Sequence, residues 1–503
     1  MPEKLQQPDP KRWTALIFIA LAQLMVVLDA TIVNIALPSA QADLGITDGN
    51  RQWVVTAYTL AFGGLLLFGG RVADLWGRKN TFIIGLLGFA AASAIGGAAV
   101  NTAMLLGARA LQGAFGALLA PAALSLLSVM FTDAKERAKA FGIYGAIAGA
   151  GAAVGFVLGG VLTEYLNWRW ALFVNIAFAI VAVLGALAYI HEPAEGRNPN
   201  RLDVPGVVLA SAGLVSLVYG FSRAETDGWA SGMTIGLFIA SAILLAAFVL
   251  VESKVKAPLL PLRVITERNR GGVYLSLGLA IIGMFGLFLF LTYYLQTVLG
   301  YSALKSGLAF LPMVGGMVVG STQIGTRLML RVRPRLLMTP GFLVAAVGMG
   351  ILAQIKVDSS YASVLLPGLI LMGLGMGTAF MPAMSLATHG VRPEDAGVAS
   401  AMVNTSQQVG GSIGTALLNT LAASATATWA KDHMHSAADL KNQLLINESA
   451  VHGYSVAIYW ALAILALAAV ASFVLINAEV QNTAERVEGD ESIDDYAVPV
   501  IAH

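Results

Sequence analysis

Asp29 is the acid whose surroundings most demand a chemical reason. It stands in the run Leu24-Met25-Val26-Val27-Leu28-Asp29-Ala30-Thr31-Ile32-Val33-Asn34, and a carboxylate at that depth in hydrocarbon costs about 2.5 to 3.5 kcal/mol. A carboxyl out of water favours its neutral form, while a cation beside it restores the charge. One group can therefore hold either a proton or a positive partner, which is what proton-coupled exchange requires. The structural alternative is an aspartate satisfied by Thr31, Asn34 or a neighbouring helix. Arg109 is the expected electrostatic partner. Counted from the outer ends of their helices, Asp29 lies about eight residues deep and Arg109 about six, or roughly 12 and 9 Å at about 1.5 Å per residue. Gln112, Gly113 and Gly116 follow Arg109 on one helix face, adding an amide and two points of close approach. The alternative for Arg109 is a side chain that snorkels to the outer headgroups. Glu164, near the outer end of its helix, either relays protons or simply meets solvent.

Other chemistries are excluded by what is missing. No Gly-Lys dipeptide occurs, so a phosphate-cradling P-loop cannot form. There is no His-Glu-x-x-His, and the six histidines (191, 389, 433, 435, 452 and 503) fall in expected loops or near helix ends. His433 and His435 are spaced too closely for one helical face, which leaves a solvated loop or a metal pair, and the first is the simpler reading. Zero cysteines exclude disulfides, thiolate metal sites and a thiol nucleophile. With 30 Lys+Arg against 29 Asp+Glu the net charge is +1, giving no basic excess for nucleic acid. No cofactor and no resident metal are expected, and nothing marks an enzyme. Movement of a molecule across a membrane is the remaining default.

The elements that must position these groups are membrane helices. Of the 503 residues 57% are hydrophobic and 12% charged, and the mean hydropathy is +0.75, a composition for lipid rather than for a solvated surface. A span needs roughly 20 apolar residues. Fourteen such segments are expected, at 14 to 37, 52 to 70, 81 to 100, 103 to 130, 140 to 162, 170 to 190, 205 to 222, 232 to 252, 271 to 298, 304 to 327, 336 to 356, 362 to 386, 397 to 424 and 454 to 477. If the brief seventh and eighth both failed, the count would be twelve. The first is too long for a secretory signal and lacks an obvious cleavage site. With the amino terminus inside, cytoplasmic segments hold 22 of the 30 Lys+Arg, outer loops hold seven, and Arg109 lies within a span. That bias fits the positive-inside rule and predicts a multi-pass protein of the inner (plasma) membrane with both termini cytoplasmic.

An internal duplication divides the chain. Gly70-Arg71-Val72-Ala73-Asp74-Leu75-Trp76-Gly77-Arg78-Lys79 is echoed by Gly325-Thr326-Arg327-Leu328-Met329-Leu330-Arg331 at an offset of about 255 residues. The expected organisation is a cytoplasmic start over 1–13, a six-helix bundle over 14–190, an inserted helix pair with cytoplasmic loops over 191–270, a second six-helix bundle over 271–477 and an acidic, disordered tail over 478–503. A long polar outer loop from 425 to 453 is expected to carry a short helix. The turn with Gly70, Arg71, Asp74, Gly77 and Arg78 is either an anchor on the inner side or a charge lock on an inner gate. Gly145, Gly149, Gly151, Gly155, Gly159 and Gly160 form a stripe that allows close helix approach.

Taken together, these motifs resemble the major facilitator superfamily, and within it the fourteen-span drug:proton antiporters. Leu28 through Pro38 is similar to their first-helix signature. Gly70 through Lys79 resembles the superfamily's loop between helices two and three, and Arg109 with Gln112 and Gly113 the proton-transfer motif of helix four. Gly151 through Gly160 resembles the antiporter motif of helix five. Trp168-Arg169-Trp170 with Phe173-Val174-Asn175-Ile176, Tyr293-Tyr294-Leu295-Gln296 and Asn404 through Gly411 are further matches. The resemblance covers about residues 14 to 477.

It implies an all-α major facilitator fold, with two bundles that rock about a central cavity. It also implies export of amphipathic small molecules in exchange for protons taken up at Asp29 and modulated by Arg109. Two departures matter. Phe156 follows Gly155 where the family commonly has proline, so a proline bend is not carried over, and spans nine to fourteen have no Asp or Glu in their apolar stretches. Monovalent lipophilic cations or neutral compounds are therefore expected rather than dications. Candidate pocket residues are Tyr58, Gln112, Tyr144, Phe285, Phe288, Tyr293, Tyr294, Gln296, Met313, Met376, Phe380, Met381, Asn404 and Gln407, since aromatic and Met side chains adapt to apolar ligands and a few amides orient them. The expected partners are the small-molecule substrate, protons and membrane lipid, with the chain a monomer. Rival readings are a proton-coupled importer, a facilitative carrier and a non-transporting scaffold or sensor.

Overall fold

Apolar sequence in hydrocarbon satisfies its amides and carbonyls only in helices or closed barrels, and this chain takes the first course. A computed structural model describes residues 10–131, 134–190, 203–255, 258–329, 331–388, 391, 396–436, 439 and 442–479. Most of the expected amino-terminal segment and nearly all of the acidic tail lie outside them. The described residues form helices and no strand. The first group is α1 (Arg12–Leu44), α2 (Asp48–Arg51), α3 (Trp53–Trp76), α4 (Arg78–Gly97), α5 (Thr102–Met130), α6 (Ala134–Tyr165) and α7 (Trp170–Tyr189). A pair follows, α8 (Val204–Asp227) and α9 (Gly232–Glu252), and then the short α10 (Leu262–Thr266). The last group is α11 (Arg268–Tyr293), α12 (Ala303–Ala309), α13 (Leu311–Val319), α14 (Thr326–Leu328), α15 (Arg335–Leu352), α16 (Leu366–Thr388), α17 (Ala396–His433) and α18 (Gln443–Leu475).

Eleven helical segments among the described residues are long and apolar enough to cross a bilayer. The three other expected spans coincide with α3, α6 and α17, helices of 24, 32 and 38 residues. One expectation needs detail and one needs correction. The segment 304 to 327 is long and apolar enough to span, as expected, but is not a uniform α-helix. Pro312, in the first turn of α13, has no amide hydrogen to continue α12, and beyond Val319 the chain widens into a π turn over Gly320–Gly325. The stretch 425 to 453 is mostly not loop, because α17 continues to His433 and α18 begins at Gln443. At about 1.5 Å per residue α17 runs to roughly 57 Å, well beyond a hydrocarbon core of about 30 Å.

Packing sorts the helices. α1 lies on α6 and α7, α3 on α5, and α4 on α5 and α7, while α11 lies on α17 and α18, and α16 on α13 and α15. The α8–α9 pair leans on α3 and α17, one helix from each bundle. At the end marked by Gly45 the bundles touch: Gln296 Nε2 donates to the Ile35 carbonyl at 2.9 Å, the Leu304 amide donates to Glu164 Oε2 at 2.9 Å, and Tyr293 is hydrogen-bonded to Gln41. Arg51 lies 4.1 Å over the Tyr293 ring, and Phe156 stacks on Phe310 at 4.8 Å with Phe288 beside both. Midway, the Thr59 and Ser412 hydroxyls meet at 2.8 Å.

Candidate functional site

Small residues let the site form. A Cβ on Gly113 would lie 2.2 Å from the Tyr58 carbonyl, so only glycine there lets α5 seat on α3. That seating puts Arg109, one turn earlier, where its Nε donates to the Val54 carbonyl at 2.9 Å. A Cβ on Gly155 would strike the Thr31 hydroxyl at 1.8 Å, so α6 presses on the side of α1 that carries Thr31, while Asp29 is engaged by residues of α5 and α7.

There Arg109 Nη1 donates to Asp29 Oδ2 at 2.5 Å. Oδ1 accepts from Gln112 Nε2 at 2.9 Å and from Asn175 Nδ2 at 2.8 Å. Arg109 Nη1 also reaches Gln112 Oε1 at 2.8 Å, and the Ser93 hydroxyl accepts from Gln112 Nε2 at 2.8 Å. The Tyr58 ring lies under the guanidinium, 4.4 Å from it. Asp29 and Gln112 are 0% exposed and Arg109 is 1% exposed, so bulk solvent does not reach the pair. Depth counting anticipated the Asp29–Arg109 pair. It did not anticipate Ser93, which carries no sequence signal, nor the role of Asn175, which stands in a quoted motif. Among the described residues Tyr58 Oη and Asn175 Oδ1 are buried without a partner, so the cluster has unused polar capacity.

The arrangement can act as a charge switch. With both groups buried, leaving either charge without its partner would cost about 3 to 5 kcal/mol. The cluster holds no metal-ligand set: among the described residues no group of three His, Asp or Glu converges anywhere.

The other candidates are dispersed. Tyr58 and Gln112 belong to the cluster just described, and Tyr144 Oη is bonded to Gln23 Oε1 at 2.5 Å within the first bundle. Tyr293 and Gln296 tie the bundles at the Gly45 end, and Tyr294 donates to the Lys356 carbonyl at 2.6 Å. Met313 and Met376 are buried, whereas Phe285, Phe288, Phe380, Met381, Asn404 and Gln407 are half-buried. Glu164 is exposed and caps the start of α12 rather than joining Asp29. Gly151, Gly155 and Gly159 face α1 of their own bundle, and only Gly160 meets the other bundle, at Leu304. The surroundings of Gly145 and Gly149 lie outside the described residues, as does the Asp74 side chain. At the Gly77 end Gly70 faces Pro121, Arg71 Nη2 donates to the Pro258 carbonyl at 2.7 Å, and Gly77, at φ 95°, joins α3 to α4, where Arg78 opens the next helix.

Comparison with known proteins gives the family and the fold. The family model described as Major Facilitator Superfamily matches residues 19–415. The puromycin resistance protein of Streptomyces alboniger is 52% identical over 95% of this chain and 93% of its own length. The cephamycin export protein of Amycolatopsis lactamdurans is 40% identical over 82% of this chain and 85% of its own. A crystal structure of an auto-inhibited peptide transporter superposes with a TM-score of 0.65 at 17% identity, over 94% of this chain and 98% of that one, a likeness of fold.

Proposed function

Since the chain belongs to the Major Facilitator Superfamily and is an integral membrane transporter rather than an enzyme, we propose that it exports amphipathic small molecules in exchange for protons. The observation that carries this reading is the dry Asp29–Arg109 pair, a carboxyl whose charge is balanced by one cation and held by two amides. Protonation from outside discharges Asp29 and frees Arg109, the two bundles tilt, and loss of the proton to the cytoplasm restores the pair. We take the Gly45 end as outer. The contacts there then describe a closed outer gate, and Arg71 with its turn belongs to the inner one. The layout proposed is fourteen spans in the plasma membrane, two six-helix bundles with α8 and α9 inserted, both termini cytoplasmic, working as a monomer.

The substrate class follows from charge. Among the described residues the second bundle buries no carboxylate, so nothing there would neutralise a second positive charge, and monovalent lipophilic cations or neutral compounds fit best. The relatives' names add puromycin and a cephamycin as compounds to try. The half-buried Phe285, Phe288, Phe380, Met381, Asn404 and Gln407 are the proposed cargo contacts. The test is transport in vesicles of purified protein under an imposed pH gradient, with tetraphenylphosphonium and puromycin as probes. Gradient-driven accumulation should be lost in Asp29→Asn. Accumulation that ignores the gradient in the unmodified protein would instead indicate a facilitative carrier, and movement in the direction of proton flow an importer.

A further inference from the structure

A second pair of buried acids lies far from Asp29 in sequence, where α8 begins and α9 ends. Asp203 is 5% exposed and Glu252 3% exposed. Asp203 Oδ1 accepts from the Gly206 amide at 3.0 Å and so caps α8, and Glu252 Oε2 accepts from the Leu260 amide at 2.9 Å. The remaining oxygen of each, Asp203 Oδ2 and Glu252 Oε1, is buried with no partner among the described residues. Both converge on one space: a Cβ built on Gly206 would lie 2.5 Å from the first and 2.6 Å from the second.

We propose that Asp203 and Glu252 hold one proton between their two unpartnered oxygens, forming a second proton-binding site in the inserted helix pair. One proton completes the hydrogen bonding of both residues: Glu252 Oε1–H donates to Asp203 Oδ2, and each of the other oxygens already accepts from a backbone amide. Two charged carboxylates this close and this dry repel each other without compensation. The proton belongs on Glu252, because Asp203 sits at a helix N-terminus, where the dipole favours an anion, and Glu252 at a C-terminus, where it does not. Among the described residues no cation is hydrogen-bonded to these two oxygens. α17 presents Val398 and Met402 to the adjoining apolar cluster, Lys254 and Arg263 are exposed, and Arg71 of α3 is spent on the Pro258 carbonyl.

That last contact gives the site its consequence. Glu252 fastens residues 258–260, and Pro258 in that segment receives the guanidinium of Arg71. Loss of the shared proton repels the two acids and loosens the segment that holds Arg71, so the Gly77 end carries a proton-sensitive fastening of its own. The inference rests on neither Asp29 nor the direction of transport.

Infrared spectroscopy of the purified full chain in nanodiscs at neutral pH tests it. The unmodified protein and Asp29→Asn should both show a protonated-carboxyl stretch that is absent in Glu252→Gln, whose amide keeps the same donor and acceptor pattern and so preserves the fold. Gly206→Ala should diminish the same band by forcing the oxygens apart. Should Glu252→Gln express poorly, the unmodified protein still decides the matter. A native state that holds an extra proton loses stability as pH rises, so the melting temperature should fall from mildly acidic to alkaline pH, equally in Asp29→Asn. A band unchanged in Glu252→Gln, or a melting temperature that rises over that pH range, overturns the proposal.

Discussion

The two bundles bury different chemistry. In the first, Asp29, Ser93, Arg109, Gln112 and Asn175 form a closed polar cluster. At the offset of about 255 residues between the two sequence echoes, Asp29 and Arg109 fall near Met284 and Val364, and the second bundle's core includes Phe290, Phe310, Phe342, Met349 and Met372. The buried ion pair therefore sits in one half, and both halves contribute the contacts at the Gly45 end. Among the described residues only the first bundle buries an ion pair.

Breaking that contrast should cost most where charge is stranded. Arg109→Leu leaves Asp29 buried without its cation and should destabilise the protein by about 3 to 5 kcal/mol, read by thermal unfolding in detergent. Part of that loss should be recovered by the double variant with Asp29→Asn. Asn175→Leu removes one of two amide donors to a charged oxygen, worth about 1.5 to 3 kcal/mol. It should also shift the pH dependence of transport, which a purely structural asparagine would leave in place.

Outside the switch, effects should shrink. Glu267 caps α11, accepting from the amides of Asn269 and Arg270. Partial burial pushes its carboxyl upward, but those amides and the Arg270 guanidinium outweigh burial and hold it below the ordinary glutamate range. Its contribution is therefore full above about pH 4.3, the unfolded value, and is lost as pH falls through the lower folded one. Glu267→Ala should cost about 1 kcal/mol at neutral pH and less in acid, measured as the pH dependence of melting. Smallest of all, Met349→Leu in the second core conserves volume and should cost under about 1.5 kcal/mol with no change in proton coupling, seen by comparing melting and transport side by side.

Much of this was legible in the sequence because hydrocarbon imposes simple arithmetic. Apolar run lengths located the helices, and depth along them brought Asp29 and Arg109 together. Lateral contacts were not legible. Ser93 reaches the cluster only through the rotation of α4 against α5, and the glycine stripe could be read from spacing but not its partner, which is mainly α1 of the same bundle. The π turn after Val319 and the reach of α17 to His433 depend on packing and backbone accommodation that no periodicity encodes. Tyr58 and Gln112 looked like pocket residues because aromatic and amide groups serve a ligand and a buried ion pair equally well.

The central claim is that Asp29 exchanges its proton as cargo binds and leaves. Proton release can be measured in weakly buffered solution when tetraphenylphosphonium is added to purified protein. The account predicts release from the unmodified chain and from Glu252→Gln, and none from Asp29→Asn. Equal release from Asp29→Asn and the unmodified chain would contradict it.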